Sequence, residues 1–181
     1  LIAGASGYLG RHAVTAFKQR GYRVRVLVRN PDKLADLQAH IDDTVVGEIT
    51  RPDTLTGCCD SVDAVFSAVG ITRQKDGLTY RDVDYQGNIN LLNEAKRAGV
   101  TKFLYVSVLQ ADQLAHLQGI RAKLDFENSL TAAGLDYTIV RPNGFYSDMG
   151  EFLQMAKRGR GYLFGTGNYR LNPIHGADLA E

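Results

Sequence analysis

Apolar positions along the chain fall into short unbroken runs separated by stretches with helical spacing. Residues 1–3, 22–28, 44–48, 64–69, 102–108 and 137–140 are apolar and rich in β-branched side chains, the composition of strands buried on both faces. Between them, Leu9, Ala13, Ala16 and Phe17 recur one helical turn apart, with Gly21 just past the helix end. Asn30 caps a second helix that has Pro31 at its first position and runs to about His40. Residues 51–57 read as a turn or a scrap of helix, and residues 71–79 as polar and irregular. A long helix then runs to Ala98, with Gly87, Leu91 and Ala95 four apart and Gly99 as its stop. Another covers residues 114–133, with Leu117, Ile120, Leu124 and Leu130 inward and Gly134 at its end. Arg141-Pro142 halts the sixth strand. Phe152, Met155 and Ala156 mark a short helix before Gly159, and residues 161–167 a loop or edge hairpin. Strand and helix alternate throughout. That pattern predicts an α/β fold: a doubly wound parallel sheet of the Rossmann type, three layers deep, with right-handed crossovers.

Composition narrows the class without naming a function. The 181 residues read as a single domain with room for a real core. Lys and Arg number 21 and Asp and Glu 20, a net charge of +1, which implies neither a nucleic-acid nor a membrane surface. Cys58 and Cys59 are adjacent, which suits neither a metal pair nor a structural disulfide and points to a reduced, cytoplasmic chain. No metal-ligand spacing is present, and no apolar run is long enough to span a bilayer. The chain starts without Met and stops at Asp178-Leu179-Ala180-Glu181, which reads as a helix beginning. It therefore reads as cut at both ends, with a substrate-side C-terminal portion missing.

The first ten residues carry the clearest chemistry. Leu1-Ile2-Ala3 ends a buried strand, Gly4-Ala5-Ser6-Gly7 turns, and Tyr8-Leu9-Gly10 opens a helix. Gly4 permits the tight turn, Gly7 lets the backbone approach a pyrophosphate, and Gly10 lets the helix lie close to the strand. The helix start directs free N–H groups and the positive end of its dipole at the turn, which is an anion site. The spacing is G-x-x-G-x-x-G, and nineteen glycines would supply such matches by chance. The strand before it and the helix after it support a dinucleotide turn rather than a plain strand-to-helix turn.

On such a sheet ligands bind beyond the carboxyl ends of the strands. The second strand ends at Arg29, where an NAD site usually carries an acid for the ribose hydroxyl. A guanidinium there suits a 2′-phosphate and can stack on adenine, so NADP is expected over NAD. Arg11 and Lys33 are further candidates for that phosphate, or solvated surface charges. Glu48 could accept from the adenine amine with Ile49 against the ring, or Glu48 could simply be solvated. Ala68, Val69 and Gly70 are small enough to leave room for ribose and phosphate, though small residues also pack well.

These stretches, together with Val83-Asp84-Tyr85-Gln86-Gly87-Asn88, residues 103–107, 123–127 and 134–142, and Asn172-Pro173-Ile174-His175-Gly176-Ala177-Asp178-Leu179, resemble an atypical short-chain dehydrogenase/reductase of the NmrA-like and isoflavone-reductase-like kind. The resemblance covers nearly the whole chain and names no substrate. It implies that Asn88 organises backbone and water near the site and that Ser107 is the family's serine at the fifth strand's end. It implies that Lys123 holds the nicotinamide ribose hydroxyls, and that Pro142, Asn143 and Phe145 belong to the stretch meeting the nicotinamide carboxamide. In typical members a tyrosine stands four residues before the lysine and acts as general acid; here that position is Gly119. Isoflavone-reductase-like relatives also lack that tyrosine and use the lysine itself. Tyr146 and His116 are candidate substitute acids or plain structural residues, and a surface ion pair with Glu127 is the alternative to the functional reading of Lys123 that the resemblance favours. His175 with Asp178 reads as a helix entry. Three functions follow as expectations: an NADP(H)-dependent reductase of a small organic substrate, a non-catalytic dinucleotide-binding redox sensor or assembly factor, and a nucleotide-sugar epimerase, which normally requires the tyrosine.

Overall fold

The computed structural model describes residues 1–71, 77–161, 166–168 and 170–181. Six strands, β1 (Ile2–Ala3), β2 (Arg25–Val28), β3 (Asp43–Val46), β4 (Ala64–Ser67), β5 (Lys102–Val106) and β6 (Asp136–Val140), form one sheet in the order β3-β2-β1-β4-β5-β6. Every pairing is parallel. The helices are α1 (Tyr8–Gln19), α2 (Asn88–Arg97), α3 (Gln118–Thr131), α4 (Tyr146–Lys157) and α5 (Gly176–Ala180). This is the doubly wound α/β fold expected, and its switch point lies between β1 and β4.

Side-chain alternation along the strands builds two cores. Ile2, Val26 and Val28 face α1, whose Val14 joins them with Ala5, Val24 and Leu34. Ala3, Leu27, Val65, Phe103 and Tyr105 face the other way, onto Leu91 and Ala95 of α2 and Phe126 and Leu130 of α3. Two-residue periodicity in the strands thus makes one layer on each side of the sheet.

Local chemistry explains where elements start and stop. Gly21 takes φ +82°, and the N–H groups of Gly21 and Tyr22 close α1 on the carbonyls of Lys18 and Phe17. Tyr22 therefore belongs to the helix end, and β2 begins at Arg25 rather than at residue 22. Asn30 does cap the next segment, its Oδ1 accepting from the N–H of Asp32 at 2.9 Å. That segment, Pro31–His40, is 3₁₀-like and breaks at its one buried residue, Leu34. The helix expected over residues 114–133 starts only at Gln118. Leu117 is extended and 47% exposed, not inward. With Gly119 in the first turn the start is a weak helix former, and the buried stripe is Ala122, Phe126 and Leu130. The expected loop or hairpin at 161–167 lies largely outside the described residues, as does much of the irregular 71–79.

Glu94 shows how polar groups are held at the amino-terminal edge. Its carboxylate accepts from Arg97 Nε at 2.8 Å and from the N–H of Gly57 at 2.7 Å, and Arg97 also reaches Asp60. The Arg97 guanidinium, then the Gly57 N–H, hold the Glu94 carboxyl below its ordinary range. A carboxyl lowered by folding stabilises the fold above the unfolded-state pKa, and that contribution is lost as pH falls through the folded value. Glu94→Gln is therefore expected to flatten the loss of stability below about pH 4.3, read by urea unfolding across the acid range. An unchanged pH slope would contradict this.

Candidate functional site

The glycine turn sits at the switch point. Gly4 takes φ +79°, and a Cβ there would meet the carbonyl of Ala68 at 2.9 Å. A Cβ on Gly10 would lie 2.0 Å from the Gly4 oxygen, so α1 can touch β1 only through a glycine. Gly7 is the N-cap of α1, with no side-chain cap and no acid in the first turn. The helix's positive end is thus left to an outside anion.

A cleft of about 230 Å³ opens from this turn across the carboxyl ends of β1 to β4. Of the residues singled out in the sequence, it gathers Gly4, Ser6, Gly7, Arg29, Glu48, Ile49, Ala68, Val69 and Gly70. Arg29 is 58% exposed on its side chain and stands 3.4 Å from the Glu48 carboxylate. Arg11 is drawn away from the cleft, pairing with Asp36 and donating to the Lys33 carbonyl at 2.8 Å. A larger cavity, about 410 Å³, lies at the amino ends of the strands between Phe17, Tyr22, Val62 and Leu104, at the edge opposite the glycine turn.

Beyond Gly70 the cleft meets a polar cluster. Residues 81–87 form a π-helical turn ahead of α2, a device frequent at functional sites. It buries Asp84, whose side chain is 1% exposed, and Asp84 Oδ1 stands 3.0 Å from Lys123 Nζ. Asp84 Oδ2 accepts from the N–H of Ile71 at 3.0 Å. A Cβ on Gly70 would lie 2.7 Å from Asp84 Oδ1 and 2.8 Å from Lys123 Nζ, so glycine there makes room for the pair. Asn88 donates to the Asp84 carbonyl at 2.9 Å and accepts from Ser67 Oγ at 2.6 Å, tying the π turn to β4. Lys123 is 22% exposed and keeps one face toward solvent. Lys123 does not pair with Glu127. Glu127 is buried and receives Arg141, Nε to Oε1 at 3.1 Å. Tyr105 OH and Ser107 Oγ are buried without hydrogen-bond partners among the described residues. Burial, then the Asp84 and Glu127 charges, push the Tyr105 phenol well above its ordinary range.

Sequence reasoning missed Asp84. The remaining expected residues do not converge on the cleft lining. Leu9 is buried within α1. The Tyr8 ring packs edge-on against His12 and Phe145, with centroids 5.1 and 5.3 Å apart, and its hydroxyl accepts from the Gly176 N–H at 3.0 Å. Tyr8 and Phe145 therefore join α1 to α4 and α5 through their side chains. The Pro142 carbonyl accepts from the Leu109 N–H at 2.9 Å. Asn143 and Tyr146 are exposed, as is His116. His175 caps α5 as expected, Nδ1 accepting from the Ala177 N–H at 3.2 Å. Among the described residues no group of His, Cys, Asp or Glu is placed to hold a metal ion, and no helix is long and apolar enough to cross a membrane.

An uncapped helix start, a cradle that a Cβ would fill and an ammonium held against the end of the cleft fit a dinucleotide. Residues 4–167 match the family model described as NAD(P)H-binding. The chain is 36% identical over 145 residues to the photosystem II assembly factor Ycf39 of Synechocystis, covering 80% of this chain and 44% of that protein. It is 30% identical to the chloroplastic divinyl chlorophyllide a 8-vinyl-reductase of Zea mays, over 99% of this chain and 49% of that one. Among solved structures, the NADPH-dependent quinone oxidoreductase QOR2 of Escherichia coli, complexed with NADPH, superposes with a TM-score of 0.77 at 26% identity, over 99% of this chain and 61% of that one. The chain thus spans about half the length of these curated relatives.

Proposed function

The chain belongs to the NAD(P)H-binding family, of the atypical short-chain dehydrogenase/reductase kind, and on that premise we propose that it is an NADPH-dependent reductase of a small organic substrate. One observation carries the proposal: a buried carboxylate, Asp84, holds the Lys123 ammonium against Gly70, where the dinucleotide cleft ends. Keeping a carboxylate out of water is costly unless a partner compensates, and here the partner is a cation at the switch point. Bound there, the reduced dinucleotide supplies a hydride. The start of α1 takes the pyrophosphate, Arg29 the 2′-phosphate, and Lys123 the nicotinamide ribose hydroxyls with the N–H groups that Asp84 leaves over. The names and bound ligands of the reductase relatives support this reading. A cytoplasmic location is part of it, to be tested by fractionation against the chloroplastic location stated in the maize relative's name.

A second reading, a dinucleotide-binding assembly factor or redox sensor, is favoured by the Ycf39 relatives and by Gly119. Turnover of NADPH with a panel of quinones, enones and carbonyls separates the two. Nucleotide choice is tested at Arg29. A charge-assisted contact to a 2′-phosphate is worth about 1.5–3 kcal/mol, or roughly ten- to a hundredfold in affinity. Arg29→Asp is expected to weaken NADPH by that factor and NADH far less in a fluorescence titration. Equal losses, or an original preference for NADH, would refute the NADP assignment.

A further inference from the structure

Gly119 lacks the side chain that a typical member would carry, yet the space beside it is filled. A Cβ on Gly119 would lie 3.1 Å from both Cδ1 and Cε1 of Tyr80 and 3.4 Å from its Cγ. The ring of Tyr80 therefore lies on the bare backbone of α3, and even a methyl group at 119 would press on it. Two rungs follow along one seam. Asp84 pairs with Lys123. One turn earlier on both segments, Tyr80 meets Gly119. On α3 four residues advance about 6 Å, so the Tyr80 ring packs one turn from the Lys123–Asp84 pair, on the side of α3 that faces the π turn.

The Tyr80 backbone is fixed from both sides. Thr79 gives its N–H and hydroxyl to Asp82 Oδ2 at 2.8 and 2.7 Å, which caps the segment. Arg81 donates to Asp125 of α3 at 2.7 Å and lies 3.9 Å over the Tyr85 ring. Tyr80 itself stays 40% exposed, so its ring is placed and still open to a ligand. Tyr146, the substitute acid considered from the sequence, sits at the start of α4, where its N–H donates to the Ile174 carbonyl at 3.2 Å.

We propose that Tyr80 is the general acid of this site, supplied from the π-turn segment in place of the missing tyrosine on α3; this rests on the reductase reading. Tyr80 gives its O–H proton to the substrate oxygen while the substrate carbon accepts a hydride from NADPH. The C=O π electrons move to that oxygen, the substrate gains two electrons, the dinucleotide loses two, and water returns a proton to the phenolate.

The test uses Tyr80→Phe, which keeps the ring on Gly119 and so keeps the packing. Turnover is measured with NADPH and 1,4-benzoquinone, cyclohexenone and benzaldehyde across pH. The expected result is a loss in kcat of about a hundredfold or more, with NADPH affinity unchanged by titration. A phenol acid must be protonated, so wild-type kcat should fall as pH rises through its ionisation, and the variant should lack that limb. Turnover retained in Tyr80→Phe, or an alkaline limb that persists in the variant, overturns the assignment and leaves the reductase reading standing. No wild-type turnover with any of the three compounds overturns both.

Discussion

Replacing Lys123 with alanine is expected to cost about 3–5 kcal/mol of stability, because it strands a buried carboxylate. Asp84 is 1% exposed, and Lys123 is the cation beside its Oδ1. The Ile71 N–H remains on Oδ2 and offsets part of the loss. The variant should unfold at markedly lower urea with an unchanged slope. Adding Asp84→Asn removes the stranded charge and should recover much of the stability, so the two changes should be strongly non-additive. A Lys123→Ala protein as stable as wild type would show that the pair does not hold the site together. The consequence for function is direct. Lost turnover in Lys123→Ala mixes lost chemistry with lost structure, so the ribose role of Lys123 is better read in the Asp84→Asn/Lys123→Met background.

How far this site could be read from the chain depends on the range of its contacts. The glycine turn was legible because all its parts lie within ten residues: a strand end, a left-handed glycine at 4 and a helix that must touch the strand at Gly10. The doubly wound parallel sheet followed from alternation of strand and helix. Lys123 was placed only through resemblance, and the alternative reading, a surface ion pair with Glu127, does not form. Four-residue spacing puts two side chains on one helix face, but it does not register Arg141 reaching Glu127 from beyond β6. Asp84 was hidden for a related reason. In Val83-Asp84-Tyr85 an aspartate reads as the polar face of a helix with 3.6 residues per turn. The π turn of residues 81–87 shifts that phase and turns the carboxylate inward. Tyr80 over Gly119 was invisible because the contact spans 39 positions and rests on what a glycine leaves open.

Among the described glycines with a tight neighbour, Gly10→Ala is expected to be the most damaging. The added Cβ would stand 2.0 Å from the Gly4 oxygen, 2.7 Å from the Gly4 carbon and 2.8 Å from the Ala5 Cα. All three are backbone atoms, so no side chain can swing aside, and α1 must move off β1. Overpacking typically costs about 1–3 kcal/mol, occasionally more where nothing can yield, and this contact belongs at the upper end. The shift also opens the cradle, since Gly7 caps the same helix and its N–H bonds to the same Gly4 oxygen at 2.9 Å. Stability and nucleotide affinity should fall together. Gly7→Ala offers the contrast: its Cβ meets only the Gly4 oxygen, at 3.2 Å, and otherwise points into open space. That variant should fold nearly as wild type and lose affinity for NADPH, because the methyl group stands where the pyrophosphate must approach. Urea unfolding and NADPH fluorescence titration of both proteins separate the two roles. A Gly10→Ala chain with wild-type stability would mean that α1 is not held to β1 as described, and a Gly7→Ala chain with wild-type affinity would remove the pyrophosphate from this turn.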